Sequence, residues 1–159
     1  MLNLYKNFDK PKELKLFDEK FPELVAIENL MEDPRSITDK EQQLLKNSNI
    51  VITTPEMAYI FARYVLEGRF LEAEPYIAKS PRYSYQYAYE VVNKDNRYTD
   101  DKLERWPVGE PAMMTDPVYA GYYARVIMKK RWEEAEPVIM KDFNAWTNYT
   151  MWFRMNEYM

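Results

Sequence analysis

The amino-acid sequence predicts an all-α fold, a short helical-repeat solenoid with an N-terminal helical cap, and three observations carry that prediction. One seven-residue phrase is written three times, as RFLEAEP at 69–75, RWPVGEP at 105–111 and RWEEAEP at 131–137. Each copy follows a segment that opens with Thr54, Ser80 or Asp116 directly before a proline. That order places a side-chain acceptor at the N-cap, and after it the one residue whose missing N–H is harmless at the first helical position. Only 3 glycines occur in 159 residues, too few for the many tight turns of an all-β chain.

Taken in order, residues 1–52 read as the cap. PKELKLFDEKF and PELVAIENLM each open with proline and predict two helices. Thr38 with Glu41 three residues on forms a capping-box pattern, so a third helix follows. NIVITT at 49–54 predicts a short extended segment. Three helix–turn–helix repeats then span 53–79, 80–115 and 116–141. In their longer helices Ala58, Phe61, Ala62 and Val65 share one face, matched by Ser84, Tyr87, Ala88 and Val91 and by Ala120, Tyr123, Ala124 and Ile127. The opposite face, with Glu56, Ile60 and Glu67, then Arg82, Gln86 and Asn93, then Val118, Tyr122 and Lys129, reads as a mostly polar, solvated back. The repeated Arg marks a short connection into a second helix, over 71–79 in the first repeat, whose proline fits only near its first turn. The middle repeat carries an insertion, NKDNRYTDDKLE at 93–104, polar and turn-rich as loop insertions are. Residues 142–159 form a truncated capping repeat with Trp146, Tyr149 and Phe153 in the core positions. The whole, 1–159, is expected to be a single domain.

Composition narrows the function classes. The chain has no Cys and no His, which removes disulfides, thiolate metal sites and an imidazole base. The N-terminal residues mix acids with lysines and have no signal-peptide pattern, and no apolar run approaches the roughly 18 residues of a membrane span. A net charge of −4 offers no general attraction to phosphate backbones or anionic lipid. The expectation is a cytoplasmic protein without cofactor or metal. Glycine-rich phosphate loops, nucleophile elbows and zinc patterns do not occur. The acidic pairs Asp100–Asp101 and Glu133–Glu134 lack the spaced oxygen ligands of a calcium loop and read as solvated surface.

The stretch AYIFARYVLEGRFLEAEP resembles short helical repeats of bacteriophage and bacterial proteins, which run Asp-Pro, Tyr-Ala, Gly-Arg-aromatic and Ala-Glu. It is distantly similar to Sel1-like and tetratricopeptide helix pairs, though shorter than either. The resemblance covers residues 54–159; the insertion and Gly109 depart from it. It implies a scaffold, phage-encoded and acting in the host cytoplasm on a host protein or defence system, and it transfers no catalytic residue.

Two sets of side chains invite a functional reading. The recurrent Arg and Glu (Arg69 with Glu74, Arg105 with Glu110, Arg131 with Glu136) read first as parts of the repeat, the Arg serving helix-end carbonyls and the Glu a helix dipole or a neighbouring repeat. Tyr59, Arg63, Tyr85, Tyr89 and Arg125 lie on a flank of the longer helices and form the candidate interaction surface, a composition that protein interfaces favour. The same mixture stacks single-stranded bases, so a nucleic-acid or nucleotide binder is the alternative. The Met-rich end TMWFRMNEYM reads as the last helix docking its apolar face, and a homodimer through the terminal unit is a further expectation. The function expected is a non-catalytic protein–protein interaction module whose partner is another protein.

Overall fold

A computed structural model describes residues 21–99 and 102–156. Every regular element among the described residues is helical, and no strand occurs among them. The chain divides into two compact units, Met1–Ile50 and Val51–Met159; the sequence reading ends its cap at residue 52.

In the first unit, α1 (Pro22–Glu32) starts on proline and buries Ala26 and Leu30. The expected helix before it lies outside the described residues. Helix α2 (Asp39–Lys46) begins at the capping box: Thr38 Oγ1 accepts from the Glu41 N–H at 3.3 Å, and Glu41 Oε2 accepts from the Thr38 N–H at 2.9 Å. Asn29 Nδ2 donates to Glu41 Oε1 at 2.7 Å and so ties α1 to α2. Residues 49–53 carry no regular structure. The extended segment expected there makes no ladder, since an isolated run of a few residues has no strand to pair with.

The second unit is built from three helix pairs and a terminal helix. The pairs are α3 (Pro55–Ile60, continuing as a π-helix through Phe61–Leu66) with α4 (a 3-10 turn Leu71–Ala73 running into Glu74–Ile77), α5 (Pro81–Tyr87, then π-helical Ala88–Val92) with α6 (Glu110–Met113), and α7 (Pro117–Tyr123, then π-helical Ala124–Met128) with α8 (Glu133–Ala135 running into Glu136–Ile139). Helix α9 (Phe143–Asn156) closes the described chain. The expected N-caps are in place. Thr54 Oγ1 accepts from Met57 N–H at 3.1 Å, Ser80 Oγ from Tyr83 N–H at 3.4 Å and Asp116 Oδ1 from Val118 N–H at 2.9 Å. Asp142 does the same for α9 through Ala145 N–H at 2.7 Å.

The helix ends solve one problem in two ways. In α3 and α7 the chain turns through a left-handed residue, Glu67 at φ 52° and Lys129 at φ 49°. The next N–H then reaches six residues back, Gly68 to the Ala62 carbonyl at 3.1 Å and Lys130 to that of Ala124 at 3.4 Å. In α5 the matching position, Asn93, keeps φ −103° and uses its side chain. Its Nδ2 donates to the equivalent Ala88 carbonyl at 2.7 Å and to the Glu104 carbonyl at 2.9 Å, while its Oδ1 accepts from Glu104 N–H at 2.6 Å. Asn93 thereby fastens both ends of the insertion.

All twelve predicted core-face residues are buried, and small ones such as Ala58, Ala62, Ala88, Ala120 and Ala124 are fully so. They let α3, α5 and α7 approach one another, and Phe61, Tyr87 and Tyr123 fill the space between. The predicted solvated back needs correction at two places. Ile60 is 7% exposed and Asn93 is 1% exposed, the first packed as an aliphatic side chain and the second consumed by the helix-end bonds.

Candidate functional site

The repeated phrase folds into one constellation built three times. Its Arg reaches the Glu five residues on: Arg69 Nε to Glu74 Oε1 at 2.9 Å, Arg105 Nε to Glu110 Oε1 at 2.9 Å and Arg131 Nε to Glu136 Oε1 at 2.7 Å. In the second and third copies Nη2 adds a parallel bond at 2.7 Å, giving the two-pronged geometry that strengthens Arg–carboxylate pairs. A tyrosine from the next long helix, thirteen residues beyond the Glu, donates its hydroxyl to the same carboxylate: Tyr87 to Glu74 at 2.9 Å, Tyr123 to Glu110 at 2.8 Å, Tyr149 to Glu136 at 2.9 Å. That hydroxyl also accepts the N–H of the aromatic residue after the Arg. These bonds are Phe70 to Tyr87 at 2.9 Å, Trp106 to Tyr123 at 2.7 Å and Trp132 to Tyr149 at 2.9 Å.

The Arg was expected at helix-end carbonyls; it pairs with the Glu, because the left-handed turn and Asn93 already satisfy the Ala62, Ala88 and Ala124 carbonyls. The Glu serves the neighbouring helix, as one of the two sequence readings has it.

Electrostatics follow from this geometry. Burial, tempered by the Trp132 N–H and reinforced by Glu136, pushes the Tyr149 phenol up to about 12. Burial drives Tyr87 and Tyr123 upward as well. The hydrogen bond from Arg131 holds the Glu136 carboxyl below the usual carboxylate range, against a smaller opposing effect of burial. A phenol held protonated and a carboxylate engaged by Arg and Tyr are poor starting points for proton transfer. In the first copy Trp106 Nε1 adds a third donor, to Glu74 Oε2 at 3.2 Å, and Glu74 is 6% exposed. Gly109 makes room for this indole: a Cβ there would lie 2.2 Å from Trp106 Cζ3.

The five flank residues fall into two clusters. Tyr59 is buried, its hydroxyl donating to Glu90 Oε2 at 3.0 Å, and Arg63 Nε donates to the same oxygen at 3.1 Å. Burial first, then the Glu90 charge, pushes the Tyr59 phenol upward. These two residues of α3 are closed onto α5. The others gather between α5 and α7. Tyr85 and Tyr89 stack with ring centroids 6.2 Å apart, and Tyr85 also meets Tyr119 at 6.2 Å and Tyr122 at 5.7 Å. The Arg125 guanidinium stands 5.1 Å over the Tyr122 ring, with Nε donating to the Gly121 carbonyl at 3.1 Å. Tyr119 and Tyr122 were not among the sequence candidates. Their i, i+3 spacing beside Arg125 is the signal that could have found them, had Tyr122 not been assigned to the polar back.

On α9, Tyr149 is buried and Trp152 and Phe153 are half-buried, while Met151 and Met155 are exposed. Among the described residues no group of three metal-ligating side chains comes together, and no helix is long and apolar enough to cross a membrane. Asp100 and Asp101 lie outside the described residues. No known protein family, curated protein or solved structure matches the chain.

Proposed function

We propose that residues 51–159 form a short helical-repeat solenoid that serves as a non-catalytic protein-interaction module, and that it engages its partner through the tyrosine and arginine surface of α5 and α7. One observation carries this reading. The copied Arg, Glu and Tyr are hydrogen-bonded to one another, so the copied chemistry joins one helix pair to the next. What remains open beside it is an aromatic surface with a cation over it, in which Tyr122 is 41% exposed. Tyrosines and arginines in such clusters carry most of the energy of protein interfaces. The resemblance to phage-type repeats suggests a host protein as that partner.

The test is capture of a partner from a bacterial host lysate by the tagged protein, repeated with nuclease and with the Tyr122→Ala variant. Retention of one stoichiometric, nuclease-resistant protein by the parent chain, and its loss from the variant, is the expected result. Nuclease-sensitive absorbance at 260 nm without a protein would replace this reading with a base-stacking surface.

A further inference from the structure

The long helices of the 51–159 unit pack in succession, α3 on α5, α5 on α7 and α7 on α9. Each meets its successor through the residue five positions after its N-cap. Tyr59 of α3 meets the Tyr83 ring at 5.6 Å, and Tyr85 of α5 meets Tyr119 and Tyr122. At Gly121 of α7 a Cβ would stand 4.0 Å from the Ala145 carbonyl oxygen of α9. Counted from Asp142, the same position in α9 is Thr147. Phe143, Thr147, Met151 and Met155 follow one another at intervals of four, so they form a single row along the helix. Thr147 is half-buried, and the three large side chains are 80%, 54% and 71% exposed. In the earlier long helices the places of Met151 and Met155 are held by Arg63 and Glu67, by Tyr89 and Asn93, and by Arg125 and Lys129, each with a polar group. The forward face of the series thus turns apolar on the helix where it stands open, which marks it for a further contact.

We propose that this row joins two copies of the chain, α9 of one lying antiparallel to α9 of the other about a two-fold axis that passes between Thr147 and Met151. Two observations commit it to a second copy. The first is continuity: the row occupies the place by which α3, α5 and α7 each receive another long helix, and a second α9 is such a helix. The second is self-complementarity, which a two-fold contact requires. The axis sets Phe143 against Met155 of the partner subunit and Thr147 against Met151 of the partner subunit. A long side chain then faces a short one at the centre, and a thioether faces an aromatic ring at both ends, a favourable contact for sulfur. Arg154 is the one charged side chain within α9. An antiparallel pair holds the two arginines at opposite ends of the contact, whereas a parallel pair would set them side by side. The contact is separate from the tyrosine surface of α5 and α7 and does not depend on it.

The experiment is sedimentation equilibrium of the full chain from about 1 to about 500 µM, since a contact between copies strengthens with concentration. The apparent mass should climb from one chain toward two. Met151→Lys and Thr147→Glu each bury a charge at the centre of the contact, and each should weaken pairing about tenfold or more. An equimolar mixture of the two variants should regain the climb, because the antiparallel axis sets the introduced acid of one against the introduced base of the other. Matching helical spectra and melting temperatures at low concentration establish that both variants fold. Tyr122→Ala should pair as well as the parent chain, which keeps this result apart from the test of the interaction module. A parent chain that stays single at the highest concentration, undiminished pairing in Met151→Lys, or a mixture that stays single would each overturn the proposal. So would a parent chain that stays single and retains a different protein from a lysate, with Met151→Lys losing it, since the row would then belong to that protein.

Discussion

A single phenolic oxygen joins consecutive helix pairs. At Tyr87, Tyr123 and Tyr149 it accepts a backbone N–H and donates to a carboxylate, so removing it strands both. The corresponding residue of α3 is Phe61, and no Arg–aromatic phrase stands at the matching distance before it. The hydroxyl is thus present where a preceding phrase can use it and absent where none can. Tyr123→Phe should lower stability by about 1–3 kcal/mol, the cost of a buried N–H left without its acceptor, measured as a shift in the urea midpoint. A loss no greater than that of an exposed substitution would mean that the hydroxyl is not the joint. Tyrosine at these positions was legible as core from helical spacing alone. Its hydroxyl partners were not, because they lie on segments that only folding brings together.

Helix starts and helix ends differ in how openly they are written. Thr54, Ser80 and Asp116 before proline announce the starts, since a cap depends on residues within one turn of it. The sequence reading closes each long helix with an Arg on its last carbonyls, yet each widens into a π-turn, and two close through left-handed Glu67 and Lys129. Neither residue type favours that region, which costs roughly 1–2 kcal/mol outside glycine. Lys129→Gly should therefore raise stability by about 1 kcal/mol, the strain relieved less the entropy glycine loses, and a thermal melt would show it. The same change at Asn93 should destabilise, because there the amide holds the helix end and the insertion together. Stabilisation at both sites would refute the distinction drawn between the two endings.

For the 51–159 unit as a whole, the third constellation makes stability a function of pH at both extremes. Glu136 has its carboxyl depressed in the folded state, so its contribution is present above the ordinary carboxylate range and is lost as pH falls through the lower folded value. Tyr149 is raised to about 12, so its contribution is complete below the ordinary phenol value and is lost as pH rises toward that figure. Urea midpoints should accordingly form a plateau from about pH 5 to about pH 9, falling on either side, and Tyr149→Phe should shrink the alkaline fall. A midpoint that rose beyond the plateau on the alkaline side would contradict the assignment.

By itself the sequence determined the helical class, the helix starts, the core faces and the places where the pattern is copied. Those depend on spacings of three and four residues and on caps, which act within a turn. Tertiary structure alone decided what the copies are for. The Arg, Glu and Tyr of one constellation are separated by five and thirteen residues, and neither interval marks a shared face of one helix. It likewise decided that Tyr59 and Arg63 close on Glu90 while Tyr119 and Tyr122 join the open flank. Which side of a helix meets a neighbour depends on how the helices approach, and that is settled by packing across the pairs rather than along the chain.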